Sequence, residues 1–150
     1  MIDFDYNLHV FRSPKFQSVM NEAIEFFANT PLHRLPPPGQ LLGPGVYGLY
    51  YIGAYELYAK IAQLNQDACV QPVYVGKAVP PGWRTARTGT SETFDLYQRL
   101  REHTRSIERG ANLRSGDFRC RFMILNGIEG DLIRKYLPLW NTVVDGFGNH

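Results

Sequence analysis

Residues 45–52 read GVYGLYYI, and this uncharged stretch is a strong strand signal from which the rest of the fold can be worked out. Its β-branched and aromatic side chains predict a buried strand over 46–52. Residues 72–75, which read PVYV, predict a second strand that ends at Gly76, and alternation over 118–125 predicts a third. The sequence therefore contains the strands of a small sheet.

Helical patterns lie before, between and after these strands. Ser13 followed by Pro14 is a typical helix start, and apolar side chains then recur at helical spacing as far as residue 29. Three more helices are predicted: 56–64 with Leu57, Ile61 and Leu64 on one side, 95–109 with Leu96, Leu100, His103 and Ile107 along one stripe, and 128–137. The connections are a Pro/Gly-rich segment over 31–45 anchored by Leu35, Leu41 and Leu42, a loop over 78–93, and a turn at Asn126-Gly127. This order of elements predicts one compact α/β domain.

Composition narrows the class of protein. The chain has 150 residues, of which 44% are hydrophobic and 13% aromatic, and these values suit one folded domain. The two cysteines, Cys69 and Cys120, are too few for a disulfide framework or a thiolate metal site, and they predict buried free thiols in a reducing cytoplasm. No apolar run is long enough to span a membrane, and the acidic start does not resemble a secretion signal.

Basic residues are concentrated in one part of the chain. Ten of the 16 lie between Lys77 and Arg121, a stretch with five acids, and nine of those ten are arginines. The planar guanidinium suits phosphate oxygens and guanine edges better than an ammonium group does. Charge alone leaves two interpretations equally open, a nucleic-acid-binding surface and a solvated basic face.

Five polar side chains are candidates for chemistry. Arg99 and His103 are four residues apart on a predicted helix and therefore share a face. Glu129 begins the last helix, where the helix dipole favours a carboxylate, while Tyr47 and Tyr74 lie inside the first two strands. Each of them alone has an ordinary structural explanation as a surface, capping or packed residue. Signatures of P-loop nucleotide binding and of zinc sites are absent from the sequence.

The ordered set of these residues is more specific than any one of them. It consists of Gly45-Val46-Tyr47, Tyr74-Val75-Gly76, Arg99, His103, Glu129 and Asn141. This set resembles the GIY-YIG nuclease superfamily, and Tyr51-Ile52-Gly53 is not part of it because it continues the first strand. More specifically, the chain resembles the type II restriction endonucleases of that superfamily. Further support comes from residues 45–51 (GVYGLYY), 74–80 (YVGKAVP), 99–103 (RLREH), 138–141 (PLWN) and 144–150 (VDGFGNH).

The resemblance implies an α/β (α+β) fold with a small, mostly antiparallel, three-stranded sheet flanked by helices. It adds an N-terminal helix and a helix inserted between the two tyrosine strands. It also implies one GIY-YIG nuclease domain over 1–150, divided into an N-terminal helix and connector (1–44), a catalytic core (45–141) and a C-terminal tail (142–150).

The activity implied by the resemblance is hydrolysis of a DNA phosphodiester by in-line attack of water. Tyr47 is the candidate general base, and because a free phenol has a pKa near 10, nearby cations such as the metal, Arg99 or Lys77 have to lower it. His103 is the rival base, or it orients Tyr47 or the water. Tyr74 is expected to hydrogen-bond the nucleophile or the phosphate.

Charged groups complete the implied site. Glu129 is expected to hold one Mg²⁺ or Mn²⁺ against the phosphate, and Arg99 to brace the transition state. Asn141 is expected to tie the site together. Glu102 is a competing metal ligand, although a surface ion pair with Arg99 or Arg105 explains it adequately.

The implied partner is double-stranded DNA, possibly a GC-rich palindrome, cut by a homodimer with one active site on each strand. The candidate DNA-binding residues are Lys77, Trp83, Arg84, Arg87, Arg119, Arg121, Asn149 and His150. Two alternatives stay open. One is a GIY-YIG repair or homing-type nuclease, and the other is a catalytically impaired DNA-binding module.

Overall fold

The computed structural model describes residues 3–39, 41–78 and 94–124. The helices are α1 (Pro14–Ala28), α2 (Ala59–Leu64) and α3 (Asp95–Arg109). The strands are β1 (His33–Arg34), β2 (Gly45–Tyr51), β3 (Tyr74–Ala78) and β4 (Phe118–Ile124). Short 3-10 turns lie at Tyr6–His9, Glu56–Tyr58 and Ser115–Asp117. The predicted loop over 78–93 beyond its first residue, the turn at 126–127 and the helix over 128–137 lie outside the described residues.

The strands form one antiparallel sheet in the order β1-β4-β2-β3. The α/β fold with a small antiparallel sheet is therefore as predicted, but within the described residues the sheet has four strands and not three. The additional strand is β1, where His33 and Arg34 pair with Cys120 and Arg119. Two residues inside a proline-rich connector are too few to produce an alternation that sequence analysis can detect.

Strand β2 lies in the centre of the sheet, and all seven of its residues are buried. Tyr47, Leu49 and Tyr51 belong to the main core cluster, where α3 contributes Leu96 and Leu100. The opposite face of β2 packs on α1, because a Cβ added at Gly48 would contact the ring of Phe27. The sheet therefore separates two packed layers, and Tyr47 lies in the α3 layer.

Helices α1 and α3 match their predicted ranges closely. The side chain of Ser13 accepts a hydrogen bond from the backbone N–H of Phe16 at 3.3 Å, as expected of an N-cap. Helix α3 begins and ends at the predicted residues, with Leu96 and Leu100 fully buried. Within the described residues, no helix is long and apolar enough to cross a membrane.

The helix predicted over 56–64 is the least accurate element. Residues 56–58 form a 3-10 turn, and only 59–64 are α-helical. The predicted apolar side is wrong, since Leu57 is 78% and Leu64 58% exposed, while Ile61 packs against the core. Spacing by 3.6 residues does not describe a segment that starts with three residues per turn.

Smaller differences concern the strand limits and two side chains. Strand β3 begins at Tyr74 instead of residue 72 and continues to Ala78. In the connector, Leu35 is buried, but Leu42 is 47% exposed and does not anchor it. Of the two thiols, Cys120 is buried as predicted, whereas Cys69 is only partly buried.

A buried amide joins the end of α2 to the end of β2 and to the loop before β3. Asn65 is 3% exposed, and its Nδ2 donates to the backbone oxygens of Tyr51 (3.2 Å) and Gln71 (2.8 Å). Its Oδ1 accepts from the backbone N–H groups of Val70 (3.0 Å) and Gln71 (2.8 Å). This side chain therefore pairs with four backbone groups, one at the end of β2 and three in the loop before β3.

We expect Asn65→Ala to lower the free energy of unfolding by about 3 kcal/mol, because it leaves buried polar groups without partners. Urea denaturation followed by circular dichroism measures the change. The exposed neighbour Gln66, replaced by alanine, is the matched control and should change stability by less than about 0.5 kcal/mol. Equal stability of the two variants would contradict the structural role of Asn65.

Candidate active site

Three aromatic side chains from two strands and a helix meet on the α3 side of the sheet. The Tyr47 hydroxyl lies 2.8 Å from Nε2 of His103, a hydrogen bond across 56 residues of sequence. The Tyr74 ring centroid lies 4.8 Å from that of His103 and 6.0 Å from that of Tyr47. The structure thus brings together three of the residues selected from the sequence.

Close packing of these rings depends on a glycine. Gly76 is the register partner of Tyr47, and a Cβ at this position would lie 2.7 Å from the Tyr47 hydroxyl. The same Cβ would lie 2.8 Å from Cε1 of Tyr74. Such distances are too short for any real side chain, so Gly76 provides the space in which the two tyrosine rings lie.

A second glycine has a comparable role at the start of β2. A Cβ on Gly45 would overlap the backbone oxygen of Met123 on β4 and lie 3.0 Å from Cδ2 of Leu96 on α3. This close approach brings α3, and with it His103, against the sheet. Both glycines of the sequence motif therefore act through packing.

Burial controls the protonation of the Tyr47–His103 pair. Burial, and next the neighbouring Tyr74, raise the pKa of Tyr47 well above its usual value, and Arg99 only partly opposes them. Burial and then Arg99 lower the pKa of His103 below its usual 6.5. At neutral pH the imidazole is therefore neutral, and the tautomer protonated on Nδ1 accepts the Tyr47 hydroxyl proton at Nε2. Arg99 acts on the pKa of Tyr47 in the expected direction, but burial outweighs this cation, so on balance the pKa of the phenol is raised and not lowered.

Arg99 lies beside the aromatic group and forms an ion pair on α3. Its Nη1 is 3.1 Å from Oε2 of Glu102, and both side chains are about half exposed (49% and 55%). The Tyr47 hydroxyl is the main reason that the pKa of Arg99 is raised. The ion pair predicted as the ordinary explanation of Glu102 is thus present, and it leaves the guanidinium near both the tyrosine and solvent.

An open cavity of about 300 Å³ adjoins this arginine. Its lining residues are Lys77, Ala78, Asp95, Gln98, Arg99 and Glu102. Sequence analysis selected neither Asp95 nor Gln98 for this site, although Asp95 lies four residues before Arg99 on the same helix. That spacing was the available signal.

The cavity contains the kind of donor atoms that a divalent cation binds. Mg²⁺ binds proteins through one or two carboxylates together with substrate phosphates, and Asp95 and Glu102 place carboxylates beside Lys77 and Arg99. In the described part of the chain, no three His, Cys, Asp or Glu side chains form a metal-binding group. The predicted ligand Glu129 lies outside the described residues.

Two of the candidate DNA-binding arginines on β4 differ in their surroundings. Arg121 is 8% exposed, its Nη1 donates to the backbone oxygen of Ala28, and its guanidinium lies 4.9 Å from the ring centroid of Tyr50. Arg119 is partly exposed, and its Nη1 donates to the backbone oxygens of Gly116 and Phe118. Arg121 therefore packs inside the fold, whereas Arg119 is accessible.

Several predicted site residues cannot be placed. These lie outside the ranges 3–39, 41–78 and 94–124, and they are Trp83, Arg84, Arg87, Glu129, Asn141, Asn149 and His150.

Comparison with known proteins gives one family. The family model described as the Eco29kI GIY-YIG domain matches residues 40–150. The curated proteins contain no match to the chain.

Proposed function

Since the chain belongs to the Eco29kI family of GIY-YIG domains, a family of restriction endonucleases, we propose that it is a divalent-metal-dependent, site-specific endonuclease of type II that cuts double-stranded DNA. The observation that carries the proposal is the 2.8 Å hydrogen bond between Tyr47 and His103, with Tyr74 and Arg99 around it. This group adjoins a cavity lined by Lys77 and Arg99, which suits a phosphate.

The pKa directions favour a shared role for the two candidate bases. A phenol with a raised pKa is a poor base by itself, but Tyr47 can pass its proton to neutral His103 as it takes one from the attacking water. The water proton thus moves to the Tyr47 oxygen while the phenolic proton moves to Nε2 of His103. Tyr74 would hydrogen-bond the nucleophile or the phosphate, and Arg99 would stabilise the charge that develops on the phosphate oxygens.

The proposed metal ligand is Glu129, with Asn141 supporting the site. A bound Mg²⁺ or Mn²⁺ would neutralise charge on the scissile phosphate and assist the leaving oxygen. Glu102 ranks below Glu129 as a ligand because its carboxylate already pairs with Arg99 at 3.1 Å.

DNA recognition is proposed to use the basic, aromatic and polar residues that the sequence singles out for it. We keep Lys77, Trp83, Arg84, Arg87, Arg119, Asn149 and His150 as proposed DNA contacts, and we leave out Arg121 because it is buried. We also propose that two copies form a homodimer on a GC-rich palindrome in the cytoplasm, each cutting one strand.

The test is a plasmid-nicking assay with purified protein and Mg²⁺. Arg99→Ala and Glu129→Ala should each lower the cleavage rate about 100-fold or more, since each removes a charge that stabilises the transition state. Removal of the metal with EDTA should stop cleavage of the unaltered chain. Cleavage by Glu129→Ala at the rate of the unaltered chain would eliminate this residue as the ligand.

The same assay separates the alternatives. A catalytically impaired DNA-binding module would retain the plasmid without cutting it at any metal concentration. A repair or homing-type nuclease would cut, but sequencing of the ends from random DNA would not give one short palindrome. Cleavage at one palindromic sequence supports the restriction type.

A further inference from the structure

Two arginines face each other at the edge of the sheet. Arg34 on β1 and Arg119 on β4 are direct register partners. Like charges at directly opposite positions destabilise a strand pair. Neither arginine forms an ion pair with any residue in the described ranges, where the recorded pair is Arg99–Glu102. The fold therefore keeps two uncompensated cations together at a cost in stability, which is typical of a binding site.

Two backbone oxygens hold the guanidinium of Arg119 in place. Its Nη1 donates to the backbone oxygens of Gly116 at 3.0 Å and Phe118 at 2.8 Å. Its remaining nitrogens have no hydrogen-bond acceptor among the described residues. A guanidinium that is held by one nitrogen and has its other nitrogens available can donate two parallel hydrogen bonds to a pair of phosphate oxygens.

Nearby groups indicate that the potential here is positive. Burial raises the pKa of the Cys69 thiol, but Arg121 and Arg119 both act on it in the opposite direction. Arg121 is buried and lies two residues after Arg119 on β4. Three guanidinium groups thus contribute to one region on the β1 side of the sheet.

An open cavity of about 760 Å³ contains both facing arginines. Ligand sites commonly have volumes of about 300–1,000 Å³, so this cavity is large enough for more than a lone anion. Leu32 and Ile52 supply apolar walls, Gln63 and Gln66 supply amides, and Asp67 is the one acid among its lining residues. Such a mixture suits a phosphate attached to a flat, polar-edged group.

This cavity is separate from the catalytic one. Its lining includes Ile52 and Gly53, which follow the last residue of β2. Lys77 and Ala78 of the catalytic cavity pair instead with Val46 and Gly45 at the start of the same strand. Seven residues of extended strand, roughly 20 Å, lie between these two ends.

We propose that this cavity binds a nucleotide, with Arg34 and Arg119 holding its phosphate. The nucleotide belongs either to DNA that flanks the cut site or to a free mononucleotide. Only the first source rests on the proposed function. Arg34 lies before residue 40, where the match to the family begins, so the site combines the family domain with the segment that precedes it.

Cys69 provides a direct measurement, because it lines the cavity and is partly buried, whereas Cys120 is fully buried. Full-length protein is alkylated with iodoacetamide, and intact mass spectrometry gives the labelling rate with and without added ligand. The two ligands are deoxyadenosine monophosphate and a blunt 20-base-pair duplex without Mg²⁺. The labelling rate of each variant with ligand is compared with the rate of the same variant without ligand, since loss of an arginine also changes the reactivity of the Cys69 thiol.

Both ligands, or one of them, should slow labelling of the unaltered chain. In Arg34→Ala and Arg119→Ala, the ligand concentration that gives half-protection should rise about tenfold, the effect of losing one charge-assisted hydrogen bond. Arg34→Glu should abolish protection, and because Arg34 is exposed this change should not unfold the chain. Arg114→Ala removes an exposed arginine outside the cavity and should behave as the unaltered chain does.

The outcomes separate the sources. If only the duplex protects Cys69 from labelling, the nucleotide belongs to flanking DNA. If only the mononucleotide protects it, the ligand is a free nucleotide. Either result supports the nucleotide site. Absence of protection by both ligands, or equal protection of Arg34→Glu and the unaltered chain, overturns it. A chain that is protected but never cuts DNA would refute the proposed nuclease function and leave this site intact.

Discussion

Replacing Tyr47 with phenylalanine is expected to lower the DNA cleavage rate by about 10³-fold without unfolding the protein. In the proposed mechanism this hydroxyl, hydrogen-bonded to His103, takes the proton from the attacking water, and loss of general base catalysis costs about 10²–10⁴-fold. The phenylalanine ring fills the same buried space, so the packing against Tyr74 and Leu100 stays. Single-turnover cleavage of supercoiled plasmid with Mg²⁺ measures the rate, and thermal unfolding checks the fold.

Tyr50→Phe is the matched control for this substitution. Tyr50 lies on the same strand, is 1% exposed and also has a pKa raised by burial, but its ring belongs to the face that packs on α1. Its rate should stay within about threefold of the unaltered chain. A rate for Tyr47→Phe within about tenfold of the unaltered chain would remove the tyrosine from the proton path.

The pH profile distinguishes a relay through His103 from a tyrosine that acts alone. The relay needs neutral His103, which is present above its pKa and lost as pH falls through it. Because burial and Arg99 lower that pKa, the acid limb of kcat/KM should lie below 6.5, the usual histidine value. In His103→Gln this limb should disappear together with most of the rate, whereas an unchanged limb would assign it to another group.

Gly76→Ala is expected to lower cleavage by about 10³-fold through displacement of both tyrosines. The added Cβ would lie 2.7 Å from the Tyr47 hydroxyl and 2.8 Å from Cε1 of Tyr74, so the rings must move away from His103. A shift of about 1 Å in reacting groups can cost about 10²-fold, and two catalytic groups move here. Overpacking should also cost about 1–3 kcal/mol of stability.

Gly116→Ala is the control, because a Cβ there meets nothing within 4 Å. It should change neither rate nor stability. Gel-shift binding to a DNA duplex without Mg²⁺ should remain within severalfold for Gly76→Ala, since its basic surface is unaltered. Full activity of Gly76→Ala would contradict the packing role of Gly76. Loss of DNA binding together with unfolding would show that the substitution disturbs more than the two tyrosines.

The parts of the fold that sequence analysis predicted best are those with long, regular patterns. Helix α3 begins and ends as predicted because 15 residues repeat one apolar stripe, and β2 is recognisable from seven uncharged residues. Strand β1 was missed because it has only two residues and is created by its partner β4. Helix α2 has too few turns for its buried side to be read from spacing.

Predictions about the site differ in the same way. The meeting of Tyr47, Tyr74 and His103 follows from the order of motifs, and it was expected from the sequence. The rise in the pKa of Tyr47 was not expected, because it depends on how completely tertiary packing removes water from the hydroxyl. Burial of Arg121 against Tyr50 likewise depends on α1, which lies about 100 residues away in sequence.

The contact between Arg121 and α1 bears on where the chain can be shortened. The match to the family begins at residue 40, yet Phe27 and Leu35 are core side chains and β1 completes the sheet. A fragment starting at residue 40 would leave the Arg121 guanidinium without the Ala28 oxygen and uncover one side of β4. The start of the family match at residue 40 is therefore not a place where the chain can be shortened without loss of packing, and an expressed fragment should retain the helix from Ser13 onward.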